Sequence, residues 1–330
     1  MSPTERLFRI IASAVVLTTC TSMSLAALAP ASPIFNANDP ASTGYTLTFA
    51  DEFDDASSID TGATGQPGYK WYTKQFFGGK TTPTSCISVR RGVLTVDGPD
   101  GCNASLETAC PASTPTGYVG TVFGGGGYFE ASIAFDPKLI DIKHGFPSFW
   151  SMAIEHMAFE KGRSQWQGQD PGYEHFIEID FFEANTFAKA GPFSYSGAVH
   201  DWYGKWSKEK GIPGNNMNYE NYIVGVPSKT DFNKFHRYGC LVVTASPATN
   251  GRGFIQYYFD GLPTSDLVTW SGHRADDIPP PGVDKRYSIA DTTHLNVLLG
   301  CATGNKMRVD YVRVWQLDKA ATSADKTPLK

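Results

Sequence analysis

The sequence predicts an all-β chain folded as a two-sheet antiparallel sandwich. Three observations carry that reading. Short runs rich in Val, Ile, Phe, Tyr and Trp recur between clusters of Gly, Pro, Asn and Asp. The clearest run alternates: Phe129, Ala131, Ile133 and Phe135 are apolar, whereas Tyr128, Glu130, Ser132 and Ala134 are polar or small. No segment holds a long helical period and no fixed repeat is visible, which disfavours an α/β fold.

Taken in order, residues 1–29 read as a signal peptide. Arg6 and Arg9 are basic, Ile10 to Leu28 carries no charge, and Ser24-Leu25-Ala26 offers a small-residue cleavage site before Ala27. A membrane anchor is the alternative. Leu17-Thr18-Thr19-Cys20 faintly matches a lipidation box, with Thr19 too large for it. Either way the chain is expected outside the cytoplasm, secreted or periplasmic, with no membrane span once matured. Residues 30–44, rich in Ala, Pro, Ser and Asn, read as a linker, 45–317 as one domain, and 318–330 as a disordered tail.

Within the domain, strands are expected at Tyr45–Phe49, at Ile87–Val96 around an Arg91-Gly92 turn, and at Tyr128–Phe135, Ser148–Ala153, His175–Glu183 and Phe193–His200. Others are expected at His236–Thr244, Phe254–Asp260, Leu295–Leu299 and Met307–Leu317. Two segments are too long to be turns, Glu155–Tyr173 and Thr264–Asp291, and loops of such length are often functional.

Composition narrows the partner. Formal charge is −5; losing Glu5, Arg6 and Arg9 removes a net +1 and leaves −6. An acidic chain without a Lys/Arg-rich run argues against nucleic acid and anionic membranes. Aromatic residues at 13% with 33 Gly suit a turn-rich domain that stacks on flat neutral ligands. Cys86, Cys102, Cys110, Cys240 and Cys301 remain after export, an odd number. Cys102 with Cys110 would staple a short loop, Cys240 and Cys301 fall in expected strands, and buried free thiols are an equal alternative. No Cys/His spacing suggests zinc.

The most informative segment is Glu174-His-Phe-Ile-Glu-Ile-Asp-Phe-Phe-Glu-Ala-Asn185. Glu178 and Asp180 share a strand face; simple alternation turns Glu183 to the other. One extra residue at Phe181-Phe182, a β-bulge, returns it. The outer glutamates are then about four strand steps apart, roughly 13 Å between Cα atoms. Side chains leaning together leave the carboxyls on the order of 5 Å apart, the separation of retaining rather than inverting glycosidases. A solvated edge strand is the bland alternative, but such strands carry Thr, Ser and Lys rather than three crowded acids.

Glu178-x-Asp180-x-x-Glu183 resembles the bulged signature of glycoside hydrolase family 16. The resemblance extends over roughly 45–317. Thr48-Phe-Ala-Asp-Glu-Phe53, Gly127-Tyr-Phe-Glu-Ala131, Phe146-Pro-Ser-Phe-Trp150, Phe235-His-Arg-Tyr-Gly239, Tyr258-Phe-Asp-Gly261 and Val309-Asp-Tyr-Val-Arg-Val-Trp315 resemble family segments in the family's order. It implies a concanavalin-like jelly roll whose concave face holds a β-glucan, with Glu178 as nucleophile, Glu183 as acid/base and Asp180 orienting both.

His200 is similar to the family's active-site histidine. Trp150, Trp202 and Trp206 are candidates to stack on sugar rings, Trp71 and Trp166 weaker ones, and Trp315 is assigned to the core. The resemblance requires no cofactor but allows a structural calcium near Asp310 and Glu52, with a solvated or salt-bridged Asp as the alternative. Phe146 stands where the family has Trp. The expected activity is endo-hydrolysis of β-1,3 or mixed β-1,3/1,4-glucan by a monomer. A galactan-cleaving enzyme, a transglycosylase or a non-catalytic glycan-binding sandwich are the alternatives.

Overall fold

The structure, a computed structural model, describes residues 35–317 except 77–79, 99–101, 103, 141–144, 159–171, 186–191, 208–211, 214–215, 247–248, 272–286 and 302–304. The stretch read as a signal peptide, Cys20, Trp166 and the stretch read as a tail from residue 318 on lie outside the described residues. Among the described residues, no helix is long and apolar enough to cross a membrane.

The principal strands are β1 (Thr46–Asp51), β2 (Ile87–Arg90), β3 (Val93–Gly98), β4 (Ala104–Glu107), β5 (Gly127–Phe135), β6 (Ser148–Ala153) and β7 (Tyr173–Glu183). They continue as β8 (Ser194–Ser207), β9 (Asn216–Gly225), β10 (His236–Val243), β11 (Arg252–Phe259), β12 (His294–Cys301) and β13 (Asn305–Gln316). One helix, α1 (Ile154–Ala158), follows β6. Two sheets form, joined through one interior. The first runs β11-β10-β5-β13-β3-β2, with β1 also on β13. The second runs β9-β8-β7-β6-β12-β4 and continues through Trp71–Tyr72. Pairing is antiparallel except between Ile59–Asp60 and Trp71–Tyr72.

The expected alternation builds the interior. Phe129, Ala131 and Ile133 of β5 meet Ile177, Ile179 and Phe181 of β7 in one buried cluster. Phe129 stacks on Phe181 with ring centroids 4.9 Å apart. Burying a side chain of this size is worth about 1.5–3 kcal/mol. The β2–β3 hairpin turns at Arg91 and Gly92, whose φ of 54° and 73° are the left-handed pair that a tight two-residue loop requires.

Four expectations need correction. All nine residues of β5 are buried, so its polar face is not solvated. Part of the reason is the stretch read as a linker. From Phe35 the chain packs on this outer face, with the Phe35 ring 4.9 Å from Tyr128 and 5.1 Å from Tyr45. The disulfide joins Cys86 to Cys102, and Cys110 and Cys240 are buried free thiols. Trp71, named as a sugar-stacking candidate, is fully buried and donates its indole N–H to Asp51 at 3.0 Å. Trp315, assigned to the core, is partly buried and packs against a separate cluster on the outer face that includes Tyr128 and Tyr258.

Candidate active site

The bulge is present on both sides of β7. Asp180 faces Ala198 and Glu183 faces Ser196, so three steps on β7 match two on β8. Toward β6, Trp150 faces Asp180 while Phe149 faces Phe182. The cause is burial. Phe181 and Phe182 are both fully buried in the interior, Phe181 against Phe149 at 4.9 Å and Phe182 against Tyr238 at 4.1 Å. Two successive residues facing inward cost one unit of register, and that unit returns Glu183 to the side of Glu178 and Asp180.

Neighbouring strands hold the acids. His200 Nε2 lies 3.1 Å from Asp180 Oδ2. The Trp202 indole N–H donates to Glu178 Oε2 at 3.0 Å, and Asn185 Nδ2 donates to Glu183 Oε2 at 3.0 Å. Tyr257 supports β8 from the opposite sheet: its hydroxyl donates to the Ala198 carbonyl at 2.9 Å. Any side chain at Gly197 would strike that ring, since a Cβ there would sit 2.6 Å from it.

Charge crowding follows. Burial pushes the Glu178 carboxyl up to about 7, the Asp180 charge adds to this, and His200 and the Trp202 hydrogen bond offset part of it. Asp180 rises through burial. Glu183 rises through burial and then through the charges of Asp180 and Glu178. Three acids so placed resist joint ionisation, and protons are shared among them at neutral pH.

The remaining expected residues separate. Trp150 on β6 is partly exposed beside Asp180 and packs on the cluster beneath the acids. Trp202 lies parallel to His200 (5.7 Å, 7°) and near-parallel to Phe176 (6.2 Å, 21°), so its faces meet protein rings while its N–H holds Glu178. The backbone of Trp206 pairs with Pro213, and its side chain lies outside the described residues. Phe146 packs against the interior cluster. His156 of α1 stacks on Phe176 at 3.7 Å and bonds Glu174 at 3.1 Å, so the start of the Glu155–Tyr173 segment lies over this end of β7.

Of the residues considered for calcium, Asp310 and the backbone around Glu52, only the Glu52 side chain is itself unsuited to a cation. Both carboxylate oxygens of Glu52 accept from Arg313 (2.8 and 2.9 Å), a guanidinium that repels a cation, and Asp310 accepts from Ser132 at 3.4 Å. Sequence reasoning missed Asn185 and the role of Trp202. The only available signals were two amide or indole donors close to acids in strand register.

The fold and site define a class: an antiparallel β-sandwich with a row of three interacting acids on one sheet. No protein-family model matches the chain, and no curated protein matches it. Solved structures that match over most of the chain include laminarinases, endo-1,3-β-glucanases and glycoside hydrolase family 16 proteins. An endo-1,3-β-glucanase from Streptomyces sioyaensis is 20% identical, with 82% of this chain and 96% of that chain covered and a TM-score of 0.46. LamA from Z. galactanivorans, solved with laminaritriose and laminaritetraose, is 18% identical, covering 82% and 99%, with a TM-score of 0.45. A family 16 endo-glucanase from Bacteroides ovatus is 17% identical, covering 81% and 99%, with a TM-score of 0.39. At such scores function has to be read from the acids themselves.

Proposed function

We propose that the protein is an exported retaining endo-glycosidase that hydrolyses β-linked glucans, β-1,3-linked first and mixed β-1,3/1,4-linked second. The observation that carries this is the bulge at Phe181-Phe182, which leaves Glu178, Asp180 and Glu183 mutually interacting. In the first step ionised Glu178 attacks the anomeric carbon while protonated Glu183 gives its proton to the departing glycosidic oxygen. An ester between Glu178 and the sugar results. In the second step Glu183 takes a proton from water, the water oxygen bonds to the anomeric carbon, and Glu178 leaves. Configuration is retained because the carbon is inverted twice. Asp180, held by His200, tunes both partners through its charge.

Glu178→Gln tests the reading on a panel of β-1,3-glucan, mixed-linkage glucan and galactan. The expected result is loss of at least a thousandfold in kcat with oligosaccharide binding kept. Proton NMR of the wild-type reaction should show β-configured product first. Unchanged turnover by the variant, or α-configured first product, overturns the proposal. Binding without reducing-end release by the wild type would make the protein a glycan-binding sandwich. Predominant elongated products at high substrate would make it a transglycosylase.

A further inference from the structure

A second concave feature lies away from the acids. The Trp71–Tyr72 strand, the loop before it and the hairpin Ala109–Pro111/Tyr118–Gly120 enclose an open pocket of about 690 Å³. That volume falls within the range of small-ligand sites. Its floor includes buried Tyr72 and Tyr118; its rim includes partly exposed Tyr69 and the threonines Thr114 and Thr116. Among the described residues, no charged one lines it.

The lining is chemically specific. Thr114 and Thr116 both donate their hydroxyl protons to the Tyr118 carbonyl, at 2.8 and 3.1 Å. Each hydroxyl oxygen keeps lone pairs to accept from a ligand. The Tyr72 hydroxyl donates to the Gln66 carbonyl at 3.2 Å, which fixes the loop carrying Tyr69. The Tyr69 ring lies edge-on to Tyr72 at 6.1 Å, so it is braced from one side. A braced aromatic ring beside hydroxyl acceptors, with no charge, suits a neutral hydroxylated ligand with flat faces.

The pocket also lies in register with the acids. Asp180 faces Trp150, Trp150 faces Leu298, Leu298 faces Glu107 and Glu107 faces Tyr72. Four strand spacings separate the ends of that row, about 19 Å. Leu298 and Glu107 in between are fully buried, so neither offers surface between the pocket and the acids. A polymer lying across the strands reaches both places, whereas a short oligosaccharide occupies one.

From these observations we infer that this pocket, with Tyr69 as its platform, is a second, non-catalytic binding site for a segment of neutral β-glucan, and that it holds polymeric substrate while the acids cut. The inference rests on the glucanase reading above for the identity of the polymer.

The test uses the full chain carrying Glu178→Gln, titrated calorimetrically with laminarihexaose, with and without Tyr69→Ala or Thr116→Val. Two sites are expected, and either added substitution should weaken one of them at least tenfold. In the otherwise wild-type enzyme, Tyr69→Ala should raise KM for soluble polymer threefold or more, with kcat and laminaritriose hydrolysis unchanged. A single site in Glu178→Gln that neither substitution alters overturns the inference while leaving the glucanase reading intact. Failure of the glucanase reading shows separately, as no release of reducing ends from β-glucan by the wild type.

Discussion

Glu178 and Glu183 have the same side chain, and only their surroundings can divide the work between them. Glu178 receives the Trp202 indole N–H, and its carboxyl is pushed up only to about 7. Glu183 sits under the charges of both other acids, which add to burial in holding its proton. Activity needs the first ionised and the second protonated, so the rate should fall below the pKa of Glu178 and again above that of Glu183. Trp202→Phe keeps a ring but removes the donor. A hydrogen bond to a charged group is worth about 1.5–3 kcal/mol, so the acid limb should move up by roughly one pH unit. Asp180→Asn removes a negative charge felt by both glutamates, and both limbs should move to lower pH, with kcat reduced. A pH profile of kcat/KM decides this: limbs that stay in place in both variants would show that these neighbours do not set the two titrations.

The single element on which the site depends is β7, and its bulge can be edited. Deleting Phe182 makes both ladders regular and keeps the Glu on the acid face, because Asp180 and the Glu are then two positions apart. The lost buried phenyl should cost about 3–5 kcal/mol, or roughly 10 °C in Tm. Hydrolysis should survive at a reduced rate. Inserting Ala after Phe182, with Phe181 and Phe182 both kept in the interior, turns the Glu inward and should abolish activity, so the two variants assayed side by side separate register from mere damage.

This strand was legible because its acids violate alternation in a way that only one extra residue repairs. β5 was legible because its apolar residues keep the alternation. β9 was not, since in Asn216-Met-Asn-Tyr-Glu-Asn only Met217 and Tyr219 mark an apolar face before Asn221 interrupts it. Nor was α1, whose five residues are too short to show a helical period. The segment from Phe35 reads as linker by composition, and only long-range packing of Phe35 on Tyr128 and Tyr258 makes it part of the domain. The partner of Glu178, Trp202, depends on cross-strand register, which local sequence does not encode, whereas Asn185 stands only two residues from Glu183.

At the scale of the whole molecule, the acid-bearing sheet also holds a buried carboxyl on β4 that the chemistry does not use. Glu107 on β4 is fully buried, and Asn296 Nδ2 donates to its Oε2 at 3.1 Å. Burial pushes its carboxyl up to about 8, with the Asn296 hydrogen bond offsetting only part. An unfolded Glu titrates near about 4.3. Below that pH both states are protonated and nothing is lost. Between there and about 8 the folded chain keeps a proton that the unfolded chain releases, so stability falls as pH rises, and the loss is complete above about 8. Glu178, Asp180 and Glu183 are shifted in the same direction, so they add to the slope rather than cancel it.

Glu107→Gln mimics the protonated acid and still accepts from Asn296. Its Tm should match the wild type near pH 4.5 and exceed it by several degrees at pH 8.5, with kcat/KM at neutral pH unchanged. Parallel Tm curves for the two proteins across that range would mean that Glu107 ionises in the folded state as readily as in the unfolded one, and that the pH dependence of stability belongs to the acids of the site alone.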